Sequence, residues 1–337
     1  MHPESAPRWG ATELSDASAG PVLVTGLPRS GTSWVGKMLE RSGRLVYVNE
    51  PLNPRHPPGR SPGVLNATVA HRYQYVCADN EHAWLPAFRD TVALRYRPVA
   101  ELRCNRSPYD LARMAKYWSA FTAGRLRGRR ALLDDPYAVF TAPWLATRLD
   151  TNVVVLLRDP AALVGSWRRL GWTFRPRELL EQPLLMRDLL GPYQDRLRAL
   201  VDSQDDLAKI ATLWAATYDA VDRYRRKDPR IQVVRYEDLA GDPQQAFGAL
   251  YRSVGLTWDD AARAMVAEAT GSSASQHKGF AWSLRGGVSR TAFQPMDSRA
   301  QLAAAGTRLP LEDAARVREI TAETMAKYTT PAPASSG

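Results

Sequence analysis

The chain has 337 residues, 45% of them hydrophobic and 24% charged, enough to bury the core of a large globular domain and unlike a fibrous or disordered polymer. A formal charge of +10 makes the surface attractive to anions, whether nucleic acid, an anionic membrane or a small ligand with several phosphates. Two cysteines without a CxxC pair and five scattered histidines give no zinc pattern, and the longest aliphatic run, Val153 to Leu157, is far below the ~20 residues of a membrane span.

Residues 1–20 lack both periodicity and the apolar stretch of a signal peptide, so they are expected to form a disordered arm. A cytoplasmic location with reduced thiols follows as the expectation. Pro21 to Thr25 is a short apolar run, and a glycine-containing turn follows it. Gly31 to Arg41 then carries Trp34, Val35, Met38 and Leu39 at helical spacing, and Leu45 to Val48 is a second strand-like run. Pro51 to Pro62 is irregular, and 71–128 is polar and aromatic, with a helix expected over Pro108 to Thr122. Ala131 to Leu133 and Asn152 to Leu157 read as strands on either side of a helix over Tyr137 to Leu149. The second of these is aliphatic without alternation, as a buried parallel strand requires. Helices are expected over Ala161 to Leu170, Leu185 to Val201, Asp205 to Lys227 and Pro243 to Val254, with a last strand at Ile231 to Val234. This alternation predicts an α/β fold, a parallel sheet flanked by helices on both faces. The expected organisation is one domain over 21–328, with 52–130 and 172–204 as helical insertions near the ligand and a disordered tail at 329–337.

The sharpest local feature is Gly26-Leu-Pro-Arg-Ser-Gly-Thr-Ser-Trp34, set between a strand and an amphipathic helix. Such a turn aims backbone N–H groups and a helix N-terminus at one anion. Gly31 permits close approach, Ser30, Thr32 and Ser33 offer hydroxyls, and Arg29 supplies a planar fork of donors. The nearest general pattern is GxxxxGK[ST], but Thr32 stands where the phosphate-reaching lysine belongs, which counts against ATP hydrolysis.

This loop resembles the 5′-phosphosulfate loop of sulfotransferases that use 3′-phosphoadenosine 5′-phosphosulfate (PAPS), in the variant with Arg for Lys. The resemblance implies the P-loop-type sulfotransferase fold, with Arg29 bridging the 5′-phosphate and the sulfuryl group, and with Trp34 beside the adenine. Val153 to Pro160 (VVVLLRDP) is similar to the same family's 3′-phosphate motif, which implies Arg158 and Ser166 as phosphate ligands. Val234 to Pro243 (VRYEDLAGDP) resembles a third family stretch and implies Tyr236 as an adenine contact, with Glu237 and Asp238 in capping and pairing roles. Arg285-Gly286 is the candidate for a late element over the 3′-phosphate, with Lys278-Gly279 nearby.

Sulfuryl transfer needs a base for the acceptor hydroxyl, and Val46-Tyr-Val-Asn-Glu50-Pro-Leu52 ends the second strand beside the loop. It resembles the FEPL element of carbohydrate sulfotransferases, which implies Glu50 as the base, with Asp135 as the alternative. Where related bacterial sequences tend to have Lys-Asp-Pro this chain has Asp134-Asp-Pro136, so a charge from Arg55 or Arg130 is expected to compensate. The reading is therefore PAPS-dependent sulfuryl transfer to a small-molecule hydroxyl acceptor (glycan, glycolipid or secondary metabolite), with no metal and no nucleic-acid partner. A P-loop small-molecule kinase and a non-catalytic nucleotide-binding module are the alternatives. Only six lysines among 45 basic residues suggest a GC-rich bacterial source.

Overall fold

The computed structural model describes residues 20–55, 61–270 and 309–329. Five strands, β1 (Val22–Gly26), β2 (Leu45–Asn49), β3 (Arg130–Asp134), β4 (Asn152–Leu157) and β5 (Ile231–Arg235), form one sheet in the order β2-β3-β1-β4-β5. Every pairing is parallel, and the register aligns Val24 with Asp134, Asn49 with Asp134, Gly26 with Leu156 and Leu157 with Arg235. The strands match the expected ones to within a residue at each end, because a run such as Val153 to Leu157 has no polar side chain to place anywhere but inside.

Helices follow in chain order as α1 (Thr32–Glu40), α2 (Trp84–Val92), α3 (Pro98–Cys104), α4 (Pro108–Leu126), α5 (Ala142–Leu149) and α6 (Pro160–Arg169). After a stretch of short turns come α7 (Asp206–Arg225), α8 (Tyr236–Gly241), α9 (Pro243–Ser253), α10 (Asp260–Thr270) and α11 (Leu311–Thr329). Successive strand residues feed two separate cores. Leu23, Leu133, Val153 and Val155 join Phe88, Phe121, Trp167 and Trp214 on one face. Val22, Leu132, Val154 and Leu156 join Trp34, Met38, Phe247 and Leu250 on the other.

Two expected helices are broken, and Tyr137 to Leu149 divides into a 3₁₀ turn at Pro136–Ala138 and the helix α5. Leu185 to Val201 divides into a turn at Pro183–Leu185, a π-helical turn at Met186–Leu190, a 3₁₀ turn at Gly191–Tyr193 and a short helix at Gln194–Ala199. Gly191-Pro192 explains the break, since proline donates no N–H to the ladder and crowds the preceding turn. Both cysteines are free thiols. Of the expected arm at 1–20 and tail at 329–337, residues 1–19 and 330–337 lie outside the described residues, as do Lys278, Gly279, Arg285 and Gly286, while Thr329, expected in the tail, is the last residue of α11.

Candidate active site

In a parallel sheet every C-terminal strand end reaches the same edge, and open α/β sheets bind ligands where the strand order turns back on itself, here around β1. The five strands end or are followed there by Gly26, Glu50, Asp134-Asp135, Arg158 and Tyr236. Five stretches from separate parts of the sequence thus meet along one edge.

The loop after β1 has an unusual backbone. Gly26 has φ 138° and Gly31 φ 105°, while Arg29 is held at φ 77°, a costly conformation for a residue with a Cβ. A Cβ on Gly31 would come within 2.7 Å of Tyr236 Cδ2, so only glycine fits between loop and ring. Gly31 is also the N-cap of α1 and supplies no side-chain cap, which leaves first-turn N–H groups for an anion.

Buried aromatic donors brace this edge. Trp167 Nε1 donates to the Pro28 carbonyl at 2.8 Å, Trp214 Nε1 to the Arg158 carbonyl at 2.9 Å and Tyr218 Oη to the Leu156 carbonyl at 2.6 Å. The ends of β1 and β4 are therefore fixed by hydrogen bonds inside the core. None of the three was singled out from sequence, because a search for anion ligands passes over apolar-looking aromatics; the i, i+4 pair Trp214 and Tyr218 was the available signal.

Arg29 Nε lies 3.4 Å from Ser166 Oγ, and Arg158 donates to the Arg29 carbonyl at 2.6 Å. The Arg158 guanidinium sits 4.7 Å from the Tyr236 ring centroid, and Tyr236 meets Trp34 edge-on at 5.6 Å. Arg29, Trp34, Arg158, Ser166 and Tyr236 are thus brought together. Burial draws the Arg158 guanidinium down from its ordinary value, with the Tyr236 and Glu237 charges opposing and the Arg29 charge adding. Ser30 Oγ, Trp34 Nε1 and Arg158 Nε are buried without a hydrogen-bond partner among the described residues. Buried donors left open beside two guanidiniums suit a ligand rich in anionic oxygens. Glu237 accepts from the Asp159 N–H at 2.8 Å, the structural role expected of it.

The opposite side of this edge is acidic. Glu50 has φ 43°, donates its N–H to the Asp134 carbonyl at 2.8 Å, and accepts from Asn53 Nδ2 at 2.5 Å. Burial raises its carboxyl above the ordinary range, with the Asn53 hydrogen bond opposing. Asp135 accepts from the Leu52 N–H at 2.5 Å and the Tyr137 N–H at 2.9 Å, so one oxygen anchors the turn that carries Glu50 and the other caps the 3₁₀ turn that follows Asp135. Asp134 is fully buried, accepts from the Tyr47 hydroxyl, and is pushed up to about 6 by burial, with the Glu50 charge adding.

Arg130, an expected compensator for Asp134, stands at the other end of β3. Its guanidinium donates to the carbonyls of Gly20 and Val254 at 3.1 and 2.9 Å, because a strand of five residues separates its two ends by ~13 Å. Arg55 lies instead on the active-site side, where its charge acts on Tyr137. Burial pushes Tyr137 up to about 12, and the Glu50 charge adds to it. Of the aromatic residues in 71–128, Tyr73 and Phe88 are core, whereas Tyr117 of α4 lies within reach of the Glu50 charge. No group of three or more metal-ligating side chains occurs among the described residues.

A sequence model of the sulfotransferase family matches residues 21–260. No curated protein matches the chain. Among solved structures it is similar to the sulfotransferase domain of the Synechococcus PCC 7002 olefin synthase, at 14% identity and TM-score 0.41, covering 92% of this chain and 98% of that one. It is also similar to a sulfotransferase domain of the curacin biosynthetic pathway, at 12% identity and TM-score 0.43, covering 89% of this chain and 96% of that one. The sulfotransferase STF9 of Mycobacterium avium gives 14% identity and TM-score 0.42 over 93% of this chain and 77% of that one.

Proposed function

The chain belongs to the sulfotransferase family, and from that premise we propose that it transfers a sulfuryl group from PAPS to a hydroxyl of a small-molecule acceptor, with Glu50 as the base. The observation that carries the reading is the pairing of Arg29 and Arg158 across β1 and β4, beside buried donors without acceptors.

When bound, PAPS supplies a sulfuryl group activated by its anhydride link to phosphate. Arg29, with the N–H groups and hydroxyls of Ser30 to Ser33, holds the 5′ side and offsets charge that develops on the leaving oxygen. Arg158 and Ser166 hold the 3′-phosphate, with Arg285-Gly286 as the proposed cover, and Trp34 and Tyr236 flank the adenine. Glu50 takes the acceptor proton; its raised carboxyl makes it a stronger base than an exposed glutamate and worth about 10² to 10⁴ in rate. Asp135 is the second candidate base, less favoured because two backbone N–H groups occupy its oxygens. Thr32 in the lysine position sets the chain apart from a P-loop kinase.

The test is incubation with labelled PAPS and a panel of glycans, glycolipids and phenols, read by mass spectrometry for added sulfate. Glu50→Gln is expected to bind the product nucleotide PAP as the parent does while losing most turnover. Normal turnover in that variant removes Glu50 as base. A melting shift with Mg-ATP and none with PAP sinks the sulfotransferase reading of the donor site.

A further inference from the structure

We propose that the outer face of α4 and the arginine-lined groove at its C-terminal end form a docking surface for an anionic lipid bilayer. Only Phe121 and Gly124 of this nineteen-residue helix are buried. Leu111, Ala115, Trp118, Thr122 and Leu126 follow the i, i+4, i+7, i+11, i+15 spacing of a single stripe. A stripe of that kind ordinarily faces a core, yet Trp118 is 50% and Leu126 80% exposed. Val99 of the adjoining α3 is 60% exposed and extends the apolar area.

Charge selects the occupant. Residues 98–130 contain eight basic residues against two acidic ones, Glu101 and Asp110. Both carboxylates are drawn onto Arg113, at 2.6 and 2.9 Å, so neither neutralises the outer face. Immediately beyond α4, Arg44, Arg127 and Arg129 line a groove with Ser42, Gly43 and Gly128, and no carboxylate shares the lining. A bilayer meets both requirements at once. Its headgroup phosphates suit the arginine forks, and its acyl boundary takes up the indole of Trp118 and the side chain of Leu126. No described helix is long and apolar enough to cross a membrane, so the contact is peripheral. The groove opens at the N-terminal ends of β2 and β3, opposite the strand ends that carry the candidate active site, so docking leaves that site open.

The experiment mixes the purified full chain with vesicles of phosphatidylcholine alone and with vesicles enriched in phosphatidylglycerol. Sedimentation with the second and not the first is expected, reversed by high salt. Arg127→Gln and Arg129→Gln each lower the partition coefficient about fivefold. Trp118→Ala lowers it as well, with an unchanged melting temperature because the side chain is exposed. Brominated lipid is expected to quench tryptophan emission in the parent and less so in Trp118→Phe. Absence of binding to anionic vesicles, or undiminished binding by the variants, overturns the proposal. Binding to heparin without binding to vesicles also overturns it, in favour of a soluble polyanion.

Discussion

Asp134 occupies a position where a lysine was expected from related sequences, and the fold deals with it by burial and a hydrogen bond from Tyr47. The folded carboxyl holds its proton up to about 6, above the ordinary value of an aspartate. The sign follows from linkage: its contribution to stability is complete below about pH 4 and is lost as pH rises through about 6. Asp134→Asn keeps an acceptor for Tyr47 and removes the titration. It is expected to be more stable than the parent at pH 8, by ~1–3 kcal/mol, and equal to it near pH 4. Urea midpoints at the two pH values check this; a lower midpoint at pH 8 would count the ionised carboxylate among the stabilising groups. Glu50 is shifted in the same direction. If it is the base, turnover falls on the acid side at a higher pH than an exposed glutamate would give, and this limb disappears in Glu50→Gln. Neither environment was legible from sequence, since Asp134 and Glu50 are 84 positions apart and only β2 beside β3 makes them neighbours.

The loop between β1 and α1 was legible because its residue types report its backbone. Two glycines with positive φ and a helix starting at Thr32 are what GLPRSGTSW spells out. The tightness at Gly31 was not, because the limiting atom belongs to Tyr236, some two hundred residues away. Gly31→Ala must strain the backbone and displace that ring, so a loss of ~1–3 kcal/mol in stability is expected. A weaker affinity for PAP should accompany it, measured by calorimetry; an unchanged affinity would show that neither loop nor ring touches the nucleotide. Trp167→Phe keeps most of the packing and removes the donor to Pro28, so a loss of ~1 kcal/mol is expected from denaturation midpoints. Among the helices, α6 and α9 were recognisable from proline at the first turn and apolar spacing. The helix α11 was not among the expected ones; two of its four buried residues, Thr321 and Thr324, are polar and interrupt the apolar spacing set by Val317, Ile320, Met325 and Tyr328.

At the scale of the molecule, one sheet edge collects the candidate anion site and the acidic side, while the apolar stripe of α4 and its arginine groove lie along the flank and at the far edge. A ligand bound at the first should raise the stability of the sheet ends it bridges. On the proposed function, PAP at a hundredfold excess over its Kd stabilises the fold by ~2.7 kcal/mol, seen as a higher melting temperature. The sequence by itself determined the class of fold, because mainly apolar runs of three to six residues spaced by helices satisfy their backbones and bury both faces as a helix-covered parallel sheet. It also determined the backbone of the loop between β1 and α1, which is local. What only the tertiary structure decided was which charges meet. Strand order 2-3-1-4-5 sets Arg158 beside Arg29 and Asp134 beside Glu50. Those encounters are long-range contacts, and burial and proximity, which set a group's charge, are properties of the folded chain.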